Sequence, residues 1–292
     1  MTLCYGRRKR TGVRPRGCLG SGSVNDDAQR DQQPLDDPAD GLFGETVAAG
    51  YDSDDGAEFD PAVVARTVDV LHDLAEGGPA LELAIGTGRI AAPLAARGTT
   101  VHGIELSRAM ARRIDGKPGA ERIHVTIGDM TRTRADGDIA PGEFALAYLV
   151  FNTISNVTTQ DGQVDVFRNA AAHLRPGGRF LVEVGVPGLR RLPPGQDTVP
   201  FAVETTGEGL TSGYVGFDQY DVATQRFRSV HVRVSDDGAG RVYSVPFRYA
   251  WPAEMDLMAR IAGMRLVDRW ADWDGSPFTA DSEKHVSVWQ KD

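Results

Sequence analysis

The sequence predicts an α/β fold: a doubly wound sheet of seven strands whose last strand runs antiparallel, with an antiparallel β-meander inserted after the fifth. Three observations carry this. Apolar runs of strand length alternate with helical patterns between residues 80 and 185. The first run, "LELAIGTGRI", ends in a glycine-spaced turn at Gly86 and Gly88. Between residues 187 and 250 helix signals stop and turn clusters separate strand-like runs, before a helix and two strands close the chain.

The elements follow in order. "LFGETVAAGYD" at residues 42–52 marks the expected onset of order. Residues 60–75, "DPAVVARTVDVLHDLA", read as a helix capped by Asp60, with Pro61 in its first turn and an apolar stripe of Val63, Val64, Thr67, Val70, Leu71 and Leu74. "ALELAIG" is a strand, "GRIAAPLAARG" a helix stopped by Gly98, and "TVHGIEL" a second strand. "SRAMARRI" is a helix capped by Ser107. "IHVTIGDM" and "FALAYLVF" are strands three and four, "QVDVFRNAAAHLRPGG" a helix ending at Pro176-Gly177-Gly178, and "RFLVEVG" strand five. "FAVETT", "YVGFDQYDV", "FRSVHVRV" and "RVYSVPFRYA" form the meander; "PAEMDLMARIAGM", "RLVDRWADWD" and "HVSVWQKD" return to the core.

Composition narrows the function. The chain has 292 residues, 41% hydrophobic and 25% charged, in the range of a globular protein. No run approaches the roughly 18 apolar residues of a membrane span, so no membrane association is expected. Six cations and no acid crowd the first twenty residues, without the apolar segment of a secretory signal. This stretch reads either as a basic arm or as a disordered tail, including sequence upstream of the true start. The remainder holds 26 basic and 41 acidic residues, a net charge of −15, which repels phosphate backbones and argues against a nucleic-acid partner. Both cysteines, Cys4 and Cys18, lie in the tail, and the six histidines are scattered without metal-ligand spacing. A cytoplasmic protein without a metal is expected. Its organisation is a tail over residues 1–40, a lid and helix over 41–75, an α/β core over 76–186, the inserted sheet over 187–250 and returning core elements over 251–292.

The glycine loop alone serves two ligands. Gly86-x-Gly88-x-x-Ala91 satisfies a dinucleotide fingerprint, and Glu105 stands where a ribose-binding acid belongs. In either reading the glycines let a ligand approach the backbone and the next helix offers free N–H groups. Glu82 separates the readings: a charge inside the first strand is costly unless a polar partner is close, whereas a dinucleotide site runs apolar into its glycines. "IGDM" then places Asp129 at a strand end, where it accepts from an exocyclic amine or caps a turn. The closing helix, strand, turn and strand also depart from a dinucleotide-binding sheet.

These motifs together resemble the class I S-adenosylmethionine-dependent methyltransferases, which share a Rossmann-like core. "LELAIGTGR" resembles that family's first motif, "VHGIELS" its second, "TIGDM" its third, and "LRPGGRFLVEV" the block entering strand five. The likeness runs from about Tyr51 to the C-terminus. One departure is Ala84, which replaces the first glycine of the family's acid-x-Gly-x-Gly pattern. The resemblance implies S-adenosylmethionine as cofactor. Glu82 would organise the loop and the methionyl amino group, and Ala84, Gly86, Thr87 and Gly88 would supply loop contacts. Glu105 would take the ribose hydroxyls, Leu106 would pack on the adenine, the Met130 backbone would meet its ring, Asp129 would accept from its amine, and Met110 would also contact the cofactor. Leu106 also reads as ordinary core, and Arg89 either meets a carboxylate of cofactor or substrate or solvates a helix face.

Methyl transfer asks mainly for alignment and dry surroundings. After strand four, "VFNTISN" stands where this family lines the transferred methyl, which makes Phe151 and Asn152 candidates for shaping the chamber; core packing and a turn are their alternatives. The family also implies a lid from Tyr51, with Phe43 either in the same cover or in ordinary packing. His124, His173 and His231 read as structural, and a chamber without a base favours an amine acceptor over a hydroxyl. The inserted sheet resembles that of amino-sugar and glycine-type N-methyltransferases, and "DWDGSPF…HVSVW" resembles actinobacterial tailoring enzymes, including those that finish lincosamide antibiotics. A small-molecule amine of secondary metabolism is therefore the expected acceptor, with O- or C-methylation, a dinucleotide oxidoreductase and a non-catalytic binding protein as alternatives. Exposed edges of the inserted sheet predict a homo-oligomer.

Overall fold

A computed structural model describes residues 37–53, 57–206 and 212–292. The basic tail and both cysteines lie outside them. Regular structure is present before Leu42. A single 3-10 turn, Pro38–Asp40, is capped by Asp37, and Asp40 is buried because its carboxylate accepts the Arg108 backbone N–H at 2.6 Å.

Helices α1 (Glu45–Tyr51) and α2 (Pro61–Ala75) come first. The first was not foreseen as a helix; Ala48 is buried in it, against Ala109 and Met110. Asp60 caps α2 through the Ala62 N–H at 2.7 Å. The core then alternates β1 (Ala80–Leu83), α3 (Ala91–Ala96), β2 (Val101–Glu105), α4 (Arg108–Ala111), β3 (Ile123–Ile127), β4 (Phe144–Leu149), α5 (Gln160–His173) and β5 (Leu174–Gly185). Strands β6 (Thr198–Thr206), β7 (Ser212–Asp221), β8 (Arg226–Val234) and β9 (Gly240–Arg248) follow, and α6 (Pro252–Ile261), β10 (Met264–Trp270) and β11 (Lys284–Lys291) end the chain.

Seven strands pair in the order β10-β11-β5-β4-β1-β2-β3. The pairs from β3 to β5 are parallel, and β11 runs antiparallel to both β5 and β10. This is the doubly wound seven-stranded sheet with an antiparallel last strand. The strands β6-β7-β8-β9 form a separate antiparallel sheet, the inserted meander. Every residue of β4 is buried, as expected of a central strand covered on both faces. One face packs under α5 and α6 around Phe167, Met255 and Trp289; the other packs under α2 and α3 around Val68, Leu71, Leu94 and Tyr148.

Two boundaries differ from the sequence reading. The α5 pattern predicts a helix to Gly178, but it stops at His173 and Leu174 already pairs with Phe144. Pro176 disfavours helical backbone at the residue before it, and extended pairing takes over. The helix expected after Ser107 survives for one turn, capped by the Ser107 hydroxyl on the Met110 N–H, then tightens to a 3-10 turn over Arg112–Ile114.

Candidate functional site

The site lies at the carboxyl ends of β1, β2 and β4, where a doubly wound sheet changes direction and leaves a crevice. The loop after β1 turns through three left-handed residues, Ala84 (φ +54°), Gly86 (+60°) and Gly88 (+75°). A Cβ on Gly88 would stand 3.0 Å from Ile114, so glycine permits both the turn and the packing. Ala84 makes the same kind of turn without that freedom.

Two buried carboxylates flank the loop. Glu82 in β1 accepts the Tyr148 hydroxyl from β4 at 2.9 Å. Burial pushes its pKa up to about 8, with the Tyr148 hydroxyl, Arg89 and the Ala91 N–H only partly opposing the shift. Glu105, at the end of β2, accepts the Gly86 N–H and the Ser107 N–H, each at 2.8 Å and one on each oxygen. Burial raises its pKa as well, against those backbone donors. The strand charge noted in the sequence thus has its polar partner.

A cavity of about 330 Å³ opens beside Glu105, within the size range of small-molecule sites. Ala84, Gly86, Leu106, Met110, Asp129 and Met130 line it together with Tyr51 at the end of α1 and Phe43 just before that helix. Leu106 is half-exposed at this wall rather than part of the core. Asp129 caps a turn, one oxygen accepting the Thr131 N–H and hydroxyl at 2.9 and 2.8 Å, and the residue also lines the cavity. Asn156, from the 3-10 turn Thr153–Asn156, lines the same cavity, and its side-chain oxygen is buried without a hydrogen-bond partner.

A smaller chamber of about 40 Å³ shares Tyr51, Ala84, Gly86 and Thr153 with that cavity and adds Glu82, Thr87, Arg89 and Phe151. Tyr51 meets Phe59 edge-on at 5.6 Å, and Phe59 meets Phe151 at 6.1 Å. The Arg89 guanidinium sits 5.0 Å from the Phe59 ring and 5.3 Å from the Phe151 ring and donates to the Glu58 carbonyl at 2.6 Å. Arg89 therefore bridges the segment before α2 and the turn that carries Phe151. Asp52 does the same for the glycine loop: it accepts from the Thr87 hydroxyl and from Lys117, both at 2.6 Å. Burial raises the Tyr51 hydroxyl to about 12.

Asn152 stands apart from both spaces. Its side chain accepts the Gly185 N–H at 2.6 Å, and it lines a groove of about 560 Å³ with Glu183, Asp272 and Lys284. The three histidines weighed as bases are occupied elsewhere: His173 between Asn169 and Ala135, His124 on Asp136, and His231 on the Tyr214 hydroxyl. Sequence reasoning missed Phe59 and Asn156. Phe59 stands directly before the capping Asp60 and carries no motif; Asn156 ends "VFNTISN", where an amide four residues after another reads as loop.

The features present fit S-adenosylmethionine: a glycine cradle, a carboxylate beside an apolar cavity of the right size, and a buried amide oxygen awaiting a donor. Comparison with known proteins agrees. Residues 80–178 match the family model of a methyltransferase domain. The CcbJ methyltransferase of Streptomyces caelestis is similar at 32% identity with a TM-score of 0.73, over 85% of this chain and 97% of that one. The cypemycin N-terminal methyltransferase of a Streptomyces species is 24% identical over 232 residues, 75% of this chain and 86% of its own. CalS10, an amino pentose methyltransferase from Micromonospora echinaspora with S-adenosylmethionine bound, shares the fold at 17% identity and a TM-score of 0.59, over 86% and 98% of the two chains. The chain belongs to the S-adenosylmethionine-dependent methyltransferases. It is an enzyme of that class, and S-adenosylmethionine is its cofactor. Among the described residues no helix is long and apolar enough to cross a membrane.

Proposed function

We propose that the enzyme methylates an amine of a small molecule in the making of a secondary metabolite. One observation carries this reading. Among the described residues, the ionisable side chains lining the chamber beside Phe151 are Tyr51, Glu82 and Arg89, and none is a free base at neutral pH. Tyr51 holds its proton to about pH 12 and Glu82 to about pH 8, while a guanidinium offers donors and no acceptor. A hydroxyl acceptor would need a base; an amine desolvated in the chamber attacks as its neutral form and loses its proton afterwards. The names of the relatives, an N-terminal methyltransferase and an amino pentose methyltransferase, support the same class of acceptor.

Bound S-adenosylmethionine supplies a methyl group on a sulfonium sulfur, already activated for in-line displacement. In this reading Glu82, Ala84, Gly86, Thr87, Gly88 and Arg89 hold the methionine end and Glu105 takes the ribose hydroxyls. Leu106, Met110 and Met130 pack on the adenine, and Asp129 and Asn156 meet its polar edge or the ribose. Tyr51, Phe59 and Phe151 exclude water and present ring faces toward the positive sulfur.

The test is methyl transfer from S-adenosylmethionine to a panel of amino sugars and peptides with free N-termini, each beside its N-acetylated form, read by mass. Methylation of the free amines alone supports the proposal. Methylation of the N-acetylated forms at oxygen or carbon overturns it.

Assembly of like subunits belongs to the same reading. Val203, Val215, Val232 and Val242 stand opposite one another across the four strands of the inserted sheet and so share one face. Val203 and Val242 are 72% and 67% exposed. A second copy brings the same valine row and covers it by two-fold contact. Arginine at position 215 then lowers the sedimenting mass; an unchanged mass removes this interface.

A further inference from the structure

The turn after β4 contains two successive residues in the left-handed region, Phe151 (φ +58°) and Asn152 (+56°), and neither is glycine. Asparagine tolerates this conformation; a phenylalanine there is strained and persists only where its surroundings over-determine it. The surroundings are one residue of β5 and its neighbours. The Phe151 N–H donates to the Glu183 Oε2 at 3.0 Å, the Asn152 N–H to the Glu183 carbonyl at 3.3 Å, and the Gly185 N–H to the Asn152 side chain at 2.6 Å. The second carboxylate oxygen of Glu183 accepts the Trp273 indole N–H at 3.1 Å, with Trp273 itself buried. Lys284 stands 3.7 Å from that oxygen and is paired with Asp272 at 2.7 Å.

The turn sends its two side chains apart. The Phe151 ring lies over Arg89 and beside Phe59 in the chamber, while Asn152 faces the groove along β5. The Phe151 φ sets where its Cβ leaves the end of β4, so relaxing that φ to the common negative region would redirect the ring. Glu183 lines the groove and neither the cofactor cavity nor the chamber, so it acts on the reaction only through the turn.

We propose that Glu183 is a positioning residue: its side-chain oxygen accepts the Phe151 N–H, holds the Phe151 backbone in the left-handed turn and so aims the Phe151 ring into the chamber where the function proposed above places methyl transfer. The role depends on reach rather than on charge. Glu183→Asp keeps the charge but is one methylene shorter, whereas Glu183→Gln keeps an oxygen at the same distance from the Phe151 N–H and gives up the bond to Trp273.

Hydrogen exchange at the Phe151 amide, with S-adenosylhomocysteine bound, tests this without any acceptor, and so independently of whether an amine is the substrate. Exchange is expected to rise about tenfold or more in Glu183→Asp and Glu183→Ala and to return close to the native rate in Glu183→Gln, with homocysteine-cofactor affinity held within about threefold. Turnover with whichever acceptor the native enzyme methylates follows the same order, falling on the order of tenfold to a hundredfold in kcat with KM for S-adenosylmethionine little changed. The reverse order, with Glu183→Asp native-like and Glu183→Gln impaired, overturns the proposal in favour of a charge effect. Equal loss of melting temperature and cofactor binding in all three variants also overturns it, leaving a fold-stabilising role only.

Discussion

The Tyr148 hydroxyl of β4 donates to Glu82 of β1 at 2.9 Å, and both side chains are buried. The bond satisfies a carboxyl group that otherwise has no place inside a parallel strand. It also ties β1 to β4 through side chains as well as through the sheet. Burial leaves Glu82 protonated in the folded enzyme to about pH 8, against an ordinary value of 4.5. The stabilising effect of that raised pKa is complete below pH 4.5 and is lost as pH climbs to about 8. Glu82→Gln is expected to flatten the fall in stability between pH 5 and pH 8 and to exceed the native enzyme in stability at pH 8, measured by urea unfolding. Equal slopes in the two proteins would contradict the assignment. Tyr148→Phe removes the donor and should cost about 1–3 kcal/mol.

Ala84 occupies a left-handed position where the related motif has glycine. A left-handed alanine costs roughly 1–2 kcal/mol, offset in part by the chain entropy that glycine loses. Ala84→Gly should therefore raise stability by about 1 kcal/mol, or roughly 2–4 °C in melting temperature. A lower melting temperature would mean that the Ala84 methyl contact with the core outweighs the strain.

Asn156 offers a buried oxygen with no partner to the cofactor cavity. Asn156→Ala removes an unsatisfied polar atom from the empty protein and a hydrogen bond from the complex. Calorimetry should show S-adenosylmethionine bound about 5- to 30-fold more weakly, roughly 1–2 kcal/mol, with thermal stability of the free enzyme held or raised. Unchanged affinity would remove Asn156 from the site.

Tyr51 contributes its ring, stacked edge-on against Phe59, to the wall shared by cavity and chamber. Tyr51→Ala should lower turnover about tenfold or more while cofactor affinity shifts less, because the lid chiefly excludes water and aligns the acceptor. Tyr51→Phe should fall between the two. A loss confined to cofactor affinity would place Tyr51 in binding alone.

Much of the cofactor side was legible along the chain, since its signals are local. Glycines at alternate positions mark a backbone that must turn left-handed, an acid within an apolar strand marks a polar partner, and an acid closing the next strand lies one crossover away. Leu106, Met110 and Met130, which only the family resemblance singles out, line the cavity with Asp129. The inserted sheet was visible because turn clusters and strand-length runs replaced helical periodicity. Boundaries at Leu174 and after Ala111 were not visible, since neighbouring elements decide where a helix gives way.

By itself the sequence determined the order of strands and helices, the glycine loop and the two carboxylates that flank it, because each rests on residues within a few positions of one another. Only the tertiary structure decided who partners whom. Glu82 and Tyr148 lie 66 residues apart and meet because β1 and β4 are sheet neighbours. Phe59, Arg89 and Phe151 converge because the turn before α2 packs against the glycine loop and the end of β4. Glu183 reaches Phe151 across 32 residues because β4 and β5 run side by side, so that their ends bring a strained turn and its carboxylate acceptor within 3.0 Å. Strand pairing sets such contacts, and it is a property of the whole sheet, which no short stretch of chain carries.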